Sequence, residues 1–221
     1  MQTSKELEAV GELSTRIAHD LKTPLSVLRN SVEILKAESD SETKTNIKLL
    51  DSMSRAINRI DHQLNEVLEF VMPKNLDLKT HSLFEMLEGA LVDILNLEHV
   101  TVCLPYYDVK ILCDRKKMEI VFENILLNAV QAMQNNGKIQ IEWDETDTEV
   151  HINMKDSGHG IPEKLLQRIF DPLFTTRQVG TGLGLPVCKT IVEQHNGSIR
   201  AETEFGKSTT FCISLKKQQD L

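Results

Sequence analysis

The sequence has no run of Lys and Arg dense enough to grip a phosphate backbone. Its balance goes the other way: 25 basic against 33 acidic residues leave a formal net charge of −8. That excludes duplex DNA and RNA as partners, because their binding is dominated by cationic contacts to phosphate. Cysteine is sparse. Cys103, Cys113, Cys188 and Cys212 are widely spaced, with no CxxC pair and no local histidine partner. This excludes a zinc site and a disulfide framework, and the four read as small buried hydrophobes in a reducing compartment. No apolar run is long enough to cross a bilayer, and no signal peptide opens the chain. The chain is therefore expected to be soluble and cytoplasmic. It stands alone or forms the inner portion of a membrane sensor whose N-terminal region precedes it.

What is present is a core and an organising stretch. The 221 residues, 40% of them hydrophobic, suffice for a small domain and an average one. Leu7, Val10, Ile17, Leu21, Leu25, Leu28, Val32 and Leu35 step by threes and fours, predicting the buried seam of a helix from about Ser4 to Ala37. His19, Asp20 and Thr23 stand off that seam, and His19 and Thr23 share a face at i and i+4. Pro24 withdraws a donor and presses on the preceding turn, so a bend is expected just past His19. A solvent-facing imidazole beside a carboxylate is a nucleophile. A passive spacer has no use for it.

Glu38 to Thr43 is a polar break with good helix-starting residues. A second helix follows, with the heptad Leu50, Met53, Ile57, Ile60, Leu64, Val67 and Val71. Two such helices form an antiparallel hairpin, and a hairpin with this much apolar surface completes its core by dimerising into a four-helix bundle. Pro73-Lys74-Asn75 reads as a linker, dividing the chain into residues 1–73 and 74–221.

Beyond the linker the pattern mixes. Helices are expected around Leu83 to Leu95, Met118 to Met133, Pro162 to Phe170 and Gly182 to His195. Strands are expected at Val100 to Leu104, Val109 to Cys113, Lys138 to Trp143, Val150 to Met154, Ser198 to Glu202 and Thr209 to Leu215. The sum is an α/β sandwich, a sheet with helices on one face.

Four features in this second part handle phosphate or a base. Asn124 and Asn128, at i and i+4, could ligate a hard cation and meet phosphate oxygens. Asp156-Ser157-Gly158-His159-Gly160 ends a strand, with a carboxylate able to accept from an exocyclic amine and glycines that permit close backbone approach. Phe170 to Arg177 carries two aromatics, then Thr175, Thr176 and a cation. Gly180-Thr181-Gly182-Leu183-Gly184 opens a helix, where backbone N–H groups make an anion site. It is neither a Rossmann fingerprint, since no strand runs into it, nor a Walker A loop, since no Gly-Lys-Ser/Thr follows. Each feature alone has an ordinary structural explanation; the four in this order, behind a histidine-bearing hairpin, do not.

The combination resembles the catalytic core of a two-component sensor histidine kinase, over nearly the whole chain. His19-Asp20-Leu21-Lys22-Thr23-Pro24 matches the phosphoacceptor box of that family. Asn124 to Asn128 matches its N box, Asp156 to Gly160 its G1 box, Phe170 to Phe174 its F box and Gly180 to Gly184 its G2 box. The short Phe-Thr-Thr-Arg stretch at 174–177 resembles the nitrogen-regulator branch. The chain departs from the pattern at Gln131, where many members carry a basic residue, and at Ser208, where glycine is usual.

The resemblance implies a GHKL-type (Bergerat) α/β sandwich that binds ATP and Mg²⁺. In it Asn128 ligates the metal and Asn124 lies near the phosphates. Asp156 accepts from the adenine amino group, Gly158 and Gly160 wall the pocket, and Thr209 lies near the base. Thr176, Arg177, Gly180 and the amides of Gly182, Leu183 and Gly184 hold the outer phosphates. His19 attacks the γ-phosphorus, Asp20 orients it or takes its proton, and Thr23 serves phosphatase activity. The phosphoryl group then passes to an aspartate of a response regulator receiver domain. Gyrase-, chaperone- and mismatch-repair-type ATPases and serine-kinase anti-sigma factors resemble the second part but have no need of the His19 hairpin. A nucleotide-binding dimeric scaffold without kinase activity is the remaining alternative.

Overall fold

The computed structural model of the chain describes residues 17, 21–35, 43–71, 75–92, 94, 99–176 and 181–217. His19, Asp20, Arg177 and Gly180 lie outside them, as do both ends of the first expected helix and the Pro73-Lys74 half of the expected linker. The chain divides into two compact units. One holds the N-terminal helices and the segment Thr175–Leu183; the other holds Pro73–Phe174 and the chain from Gly184 onward.

In the first unit, α1 spans residues 21–35 and α2 spans Thr43–Val71. The helical assignment runs unbroken through Pro24, and the Ser26 hydroxyl donates back to the Lys22 carbonyl at 2.8 Å. The buried side chains among the described residues of these helices are Pro24 and Ser31 on α1 and Ala56, Gln63 and Glu66 on α2. The apolar stripe, expected to be the seam, is partly covered: Leu25, Leu50, Ile57 and Leu64 are exposed, while Leu21, Leu28, Val32, Met53, Ile60 and Val67 are half-buried.

The second unit is built on a five-stranded sheet. Its strands are β2 (Val100–Cys103), β4 (Gly137–Glu145), β5 (Glu149–Asp156), β6 (Ser198–Glu204) and β7 (Ser208–Lys216), in the order β2-β4-β5-β7-β6. Only the β2–β4 pair is parallel. A separate antiparallel ribbon joins β1 (Lys79–Ser82) to β3 (Lys110–Cys113). The sequence pattern gave no sign of β1: Lys-Thr-His-Ser carries no hydrophobic alternation, and its pairing with β3 makes it a strand.

Alternation decides the faces. Ile139, Ile141 and Trp143 of β4 and Val150, Ile152 and Met154 of β5 are buried, while Gln140, Glu142 and Asp144 are exposed. Helices α3 (Leu83–Val92), α4 (Arg115–Ala132) and α6 (Gly184–Gln194) supply the rest of the core, chiefly Leu83, Met86, Phe122, Ile125, Val187 and Ile191. The expected helix over 162–170 is shorter. Only α5 (Glu163–Leu166) forms, and the chain then descends through three-residue turns, Arg168 N–H to Leu165 O, Asp171 N–H to Arg168 O and Phe174 N–H to Asp171 O.

Asp114 anchors α4. Its Oδ1 accepts from the Lys117 amide at 3.2 Å, capping the helix, and its Oδ2 accepts from the Asp77 amide at 3.0 Å. Its own N–H donates to Nε2 of buried His195 at 3.0 Å, which leaves Nδ1 to donate to the Ile191 carbonyl at 2.8 Å. The start of α4 is thereby tied to the end of α6. Cys113, Cys188 and Cys212 are buried and all the cysteines described are free thiols. Burial pushes the Cys113 thiol up to about 12, so it is inert.

Candidate functional site

The site grows from the end of β5. Asp156 sits between Ile139 of β4 and Thr209 of β7, 3% exposed. Its Oδ1 accepts from the Gly158 amide at 2.7 Å and the Thr209 amide at 3.3 Å. Its Oδ2 has no hydrogen-bond partner among the described residues. Burial raises the carboxyl above its ordinary range, and the two backbone donors and His159 hold it partly back. The result is a buried carboxylate with one oxygen fixed and the other available to an N–H donor. It borders a shallow cleft of about 270 Å³ that Ser157 and Ser208 also line.

Glycines clamp the loop that follows. A Cβ on Gly158 would lie 2.8 Å from the Ala132 Cβ, and one on Gly160 2.7 Å from the Glu204 carbonyl, with φ at +68° besides. The His159 amide donates to Ala132 O and the His159 carbonyl accepts from Gly206 N–H. These glycines therefore serve a close approach of chain to chain, between the end of α4 and the β6–β7 turn. The close approach is the one the glycines were expected to permit, and its partners, Ala132 and Glu204, are too distant in sequence for a local pattern to name them.

α4 leads into the same place. Asn124, Asn128 and Ala132 fall on one face at successive turns, and Ala132 touches Gly158. Asn124 is 4% exposed and its Nδ2 donates to the Ile120 carbonyl at 3.1 Å, so that carboxamide is engaged within its own helix. Asn128 is half-buried one turn nearer the loop. Among the described residues no three His, Cys, Asp or Glu side chains gather to hold a metal. The donor set fits a hard cation that takes one carboxamide oxygen from the chain and the rest from phosphates and water.

The remaining sequence-predicted residues belong to the other unit, Gly184 excepted. Thr23 is exposed on α1, as is Thr176 further along. Gly182 adopts φ +70°, Leu183 is fully buried, and Gly184 opens α6. Thr181, 4% exposed, donates its hydroxyl to Oε2 of Glu66 on α2 at 2.9 Å and accepts from the Leu183 amide at 3.1 Å. The sequence reading passed over Glu66. Its signal was an acid inside the apolar repeat of α2, one turn after His62, whose Nε2 lies 3.5 Å from Glu66 Oε1.

Comparison with known proteins places both units. Residues 113–219 match the family described as histidine kinase-, DNA gyrase B-, and HSP90-like ATPase, and residues 9–75 match the His Kinase A (phospho-acceptor) domain. The chain is 32% identical over 224 residues to sporulation kinase A of Bacillus subtilis (strain 168), an alignment covering 99% of this chain and 36% of that protein. It spans about a third to a half of the length of the curated relatives it matches. Among solved structures, the catalytic domain of histidine kinase ThkA aligns with a TM-score of 0.57 at 31% identity, over 64% of this chain and 96% of that one. ThkA in complex with the response regulator protein TrrA aligns with a TM-score of 0.66 at 25% identity, over 97% of this chain and 64% of that one.

Proposed function

The chain belongs to the histidine kinase family, and from that premise we propose that it phosphorylates itself on His19 with ATP and passes the phosphoryl group to an aspartate of a response regulator receiver domain. The observation that carries the nucleotide half is Asp156, buried, with Oδ1 fixed by two amides and Oδ2 left to accept from an adenine amino group. Asn128 would hold Mg²⁺, which would supply charge neutralisation at the phosphates, with Asn124 behind it. Thr209 lies beside the base. Thr176, Arg177, Gly180, Gly182, Leu183 and Gly184 hold the outer phosphates through side chains and backbone N–H groups.

His19 supplies the nucleophilic nitrogen. A nitrogen–phosphorus bond forms as the bond from the γ-phosphorus to the leaving oxygen breaks, and Asp20 holds the imidazole proton on the far nitrogen. Residues 1–73 act as a dimerisation and phosphotransfer hairpin and 74–221 as the ATP-binding domain. The open stripe Leu50, Ile57 and Leu64 supports a homodimer, since a second copy covers it. The chain works in the cytoplasm, and any membrane attachment comes through a sensor region outside it.

Incubation with labelled Mg-ATP tests the reading. The label should be acid-labile and base-stable, as a phosphoramidate is, and should leave for an added receiver domain. Label that is base-labile, or that no receiver domain removes, argues against it.

A further inference from the structure

The five-stranded sheet carries a second recess, away from Asp156. β2 ends at Cys103, paired with Gln140, while β4 continues to Glu145. Past Gln140, β4 has a strand neighbour only on its β5 side. The loop after β2 swings wide of the gap and leaves a groove of about 420 Å³ between residues 103–107 and residues 140–144. That volume falls in the range of sites that hold a side chain or small ligand.

One wall is rigid. The Tyr107 hydroxyl donates to the Trp143 carbonyl at 2.5 Å, and the Trp143 indole donates to the Tyr107 carbonyl at 3.1 Å. Their rings meet edge to face with centroids 6.2 Å apart. On this support stands Tyr106, 97% exposed, its ring touching only the edge of Tyr107 at 5.2 Å. A large aromatic that buries almost nothing in its own fold, on a fixed platform beside a groove, has the character of an interface anchor.

The opposite wall selects by charge. Glu142 and Asp144 lie two residues apart on the outward face of β4, and no lysine or arginine lines the groove. Glu142 accepts only from the Gln140 amide among the described residues, at 2.5 Å, and Asp144 has no ion pair among them. The Tyr107 phenol is raised by desolvation first and by the charge of nearby Asp144 next. Guanidinium meets both requirements, since it stacks flat on an aromatic face and donates in pairs to carboxylates.

We propose that this groove docks an arginine-bearing extended segment of a partner protein, the guanidinium lying between the Tyr106 ring and the carboxylates of Glu142 and Asp144. The site is separate from the nucleotide site. Asp144 pairs with His151, five residues from Asp156 along β5, which is about 17 Å of strand. Asp156 faces the core side of the sheet and Asp144 the open side, so both sites can be filled at once.

Trp143 is the only tryptophan in the chain and lines the groove, so its emission reports occupancy. The whole chain is titrated with a blocked Gly-Arg-Gly-Arg-Gly peptide, beside versions carrying Gly or Glu in place of Arg. The expected result is a saturable change for the arginine peptide alone, weakened about tenfold or more in Tyr106→Ala and in Asp144→Asn, with thermal unfolding of both variants unchanged. The proposal is overturned by any of three results: no saturable change up to millimolar arginine peptide, equal binding of the glutamate peptide, or wild-type binding by both variants. Self-association that depends on Tyr106, without peptide binding, also overturns it and makes the occupant a second copy.

Discussion

In the sheet unit the apolar faces find partners within one chain: Leu83, Phe122 and Ile152 are completely buried. In the helical unit the repeat Leu50, Ile57 and Leu64 stays 54%, 47% and 43% exposed. The sheet with its covering helices closes a core, whereas the repeat of α2 keeps one half exposed and the other, Met53, Ile60 and Val67, half-buried. The exposed half of the repeat is the surface that the proposed dimer would cover. The difference follows from geometry, because a sheet face is wide enough for several helices, whereas two helices share only one groove.

The largest expected effect tests the closed core. Phe122→Ala removes a fully buried ring from α4 and should cost about 3–5 kcal/mol. Urea unfolding followed by Trp143 emission should show it, while cross-linking still traps a dimer of the folded chain. If the dimer disappears with the core, the two units do not behave as separate folding problems.

Ile57→Asp attacks the open seam instead. A carboxylate in a seam that only a second copy covers should break the dimer, with light scattering falling to the monomer mass. The Trp143 unfolding midpoint in urea should hardly move, since the residue is already 47% exposed in one copy. A lowered midpoint would mean that Ile57 belongs to the chain's own core.

Asp156→Asn should weaken nucleotide affinity by about ten- to a hundredfold, the value of a hydrogen bond to a charged group. Its effect on stability has the opposite sign. Burial raises this carboxyl above its ordinary range, so the folded chain binds the proton more tightly than the unfolded one. That contribution is present at low pH and is lost as pH rises through the folded-state value. At neutral pH the carboxylate opposes folding, and the asparagine variant should melt no lower than the parent, with a flatter pH profile. A fluorescent ATP analogue and thermal melts measure the two sides; a variant that melts lower with full affinity would reverse the assignment.

The smallest effect concerns Thr23, exposed on α1. Thr23→Ala should leave self-phosphorylation and transfer intact and slow dephosphorylation of the receiver domain by about tenfold, the loss of one positioning hydrogen bond. Thr23→Ser should restore it. Equal decay in all three forms would remove the hydroxyl from the chemistry.

What the sequence made legible was local. The helix expected around Met118 to Met133 was readable from its apolar spacing, and α4 spans Arg115–Ala132. The strands β4 and β5 were readable because they alternate, and Asp156 because it closes one of them before two spaced glycines. What stayed hidden depends on partners distant in sequence. Gly158 and Gly160 are legible as positions of close backbone approach, but the chain segments that approach them, at Ala132 and Glu204, are not. The hydrogen bond from Thr181 to Glu66 joins residues 115 apart, which no local pattern shows. β1 has no pattern of its own and takes its identity from β3. The Tyr106 groove exists because β2 stops before β4 does, which no single strand pattern can show.

The division of labour between the two units is tested most directly by comparing His19→Gln with Asp156→Asn in one assay of labelled Mg-ATP incorporation and nucleotide binding. His19→Gln should lose all label and bind nucleotide like the parent, whereas Asp156→Asn should bind weakly and regain label as ATP is raised. Label that persists on the His19→Gln chain, or nucleotide affinity that falls with it, would contradict the account.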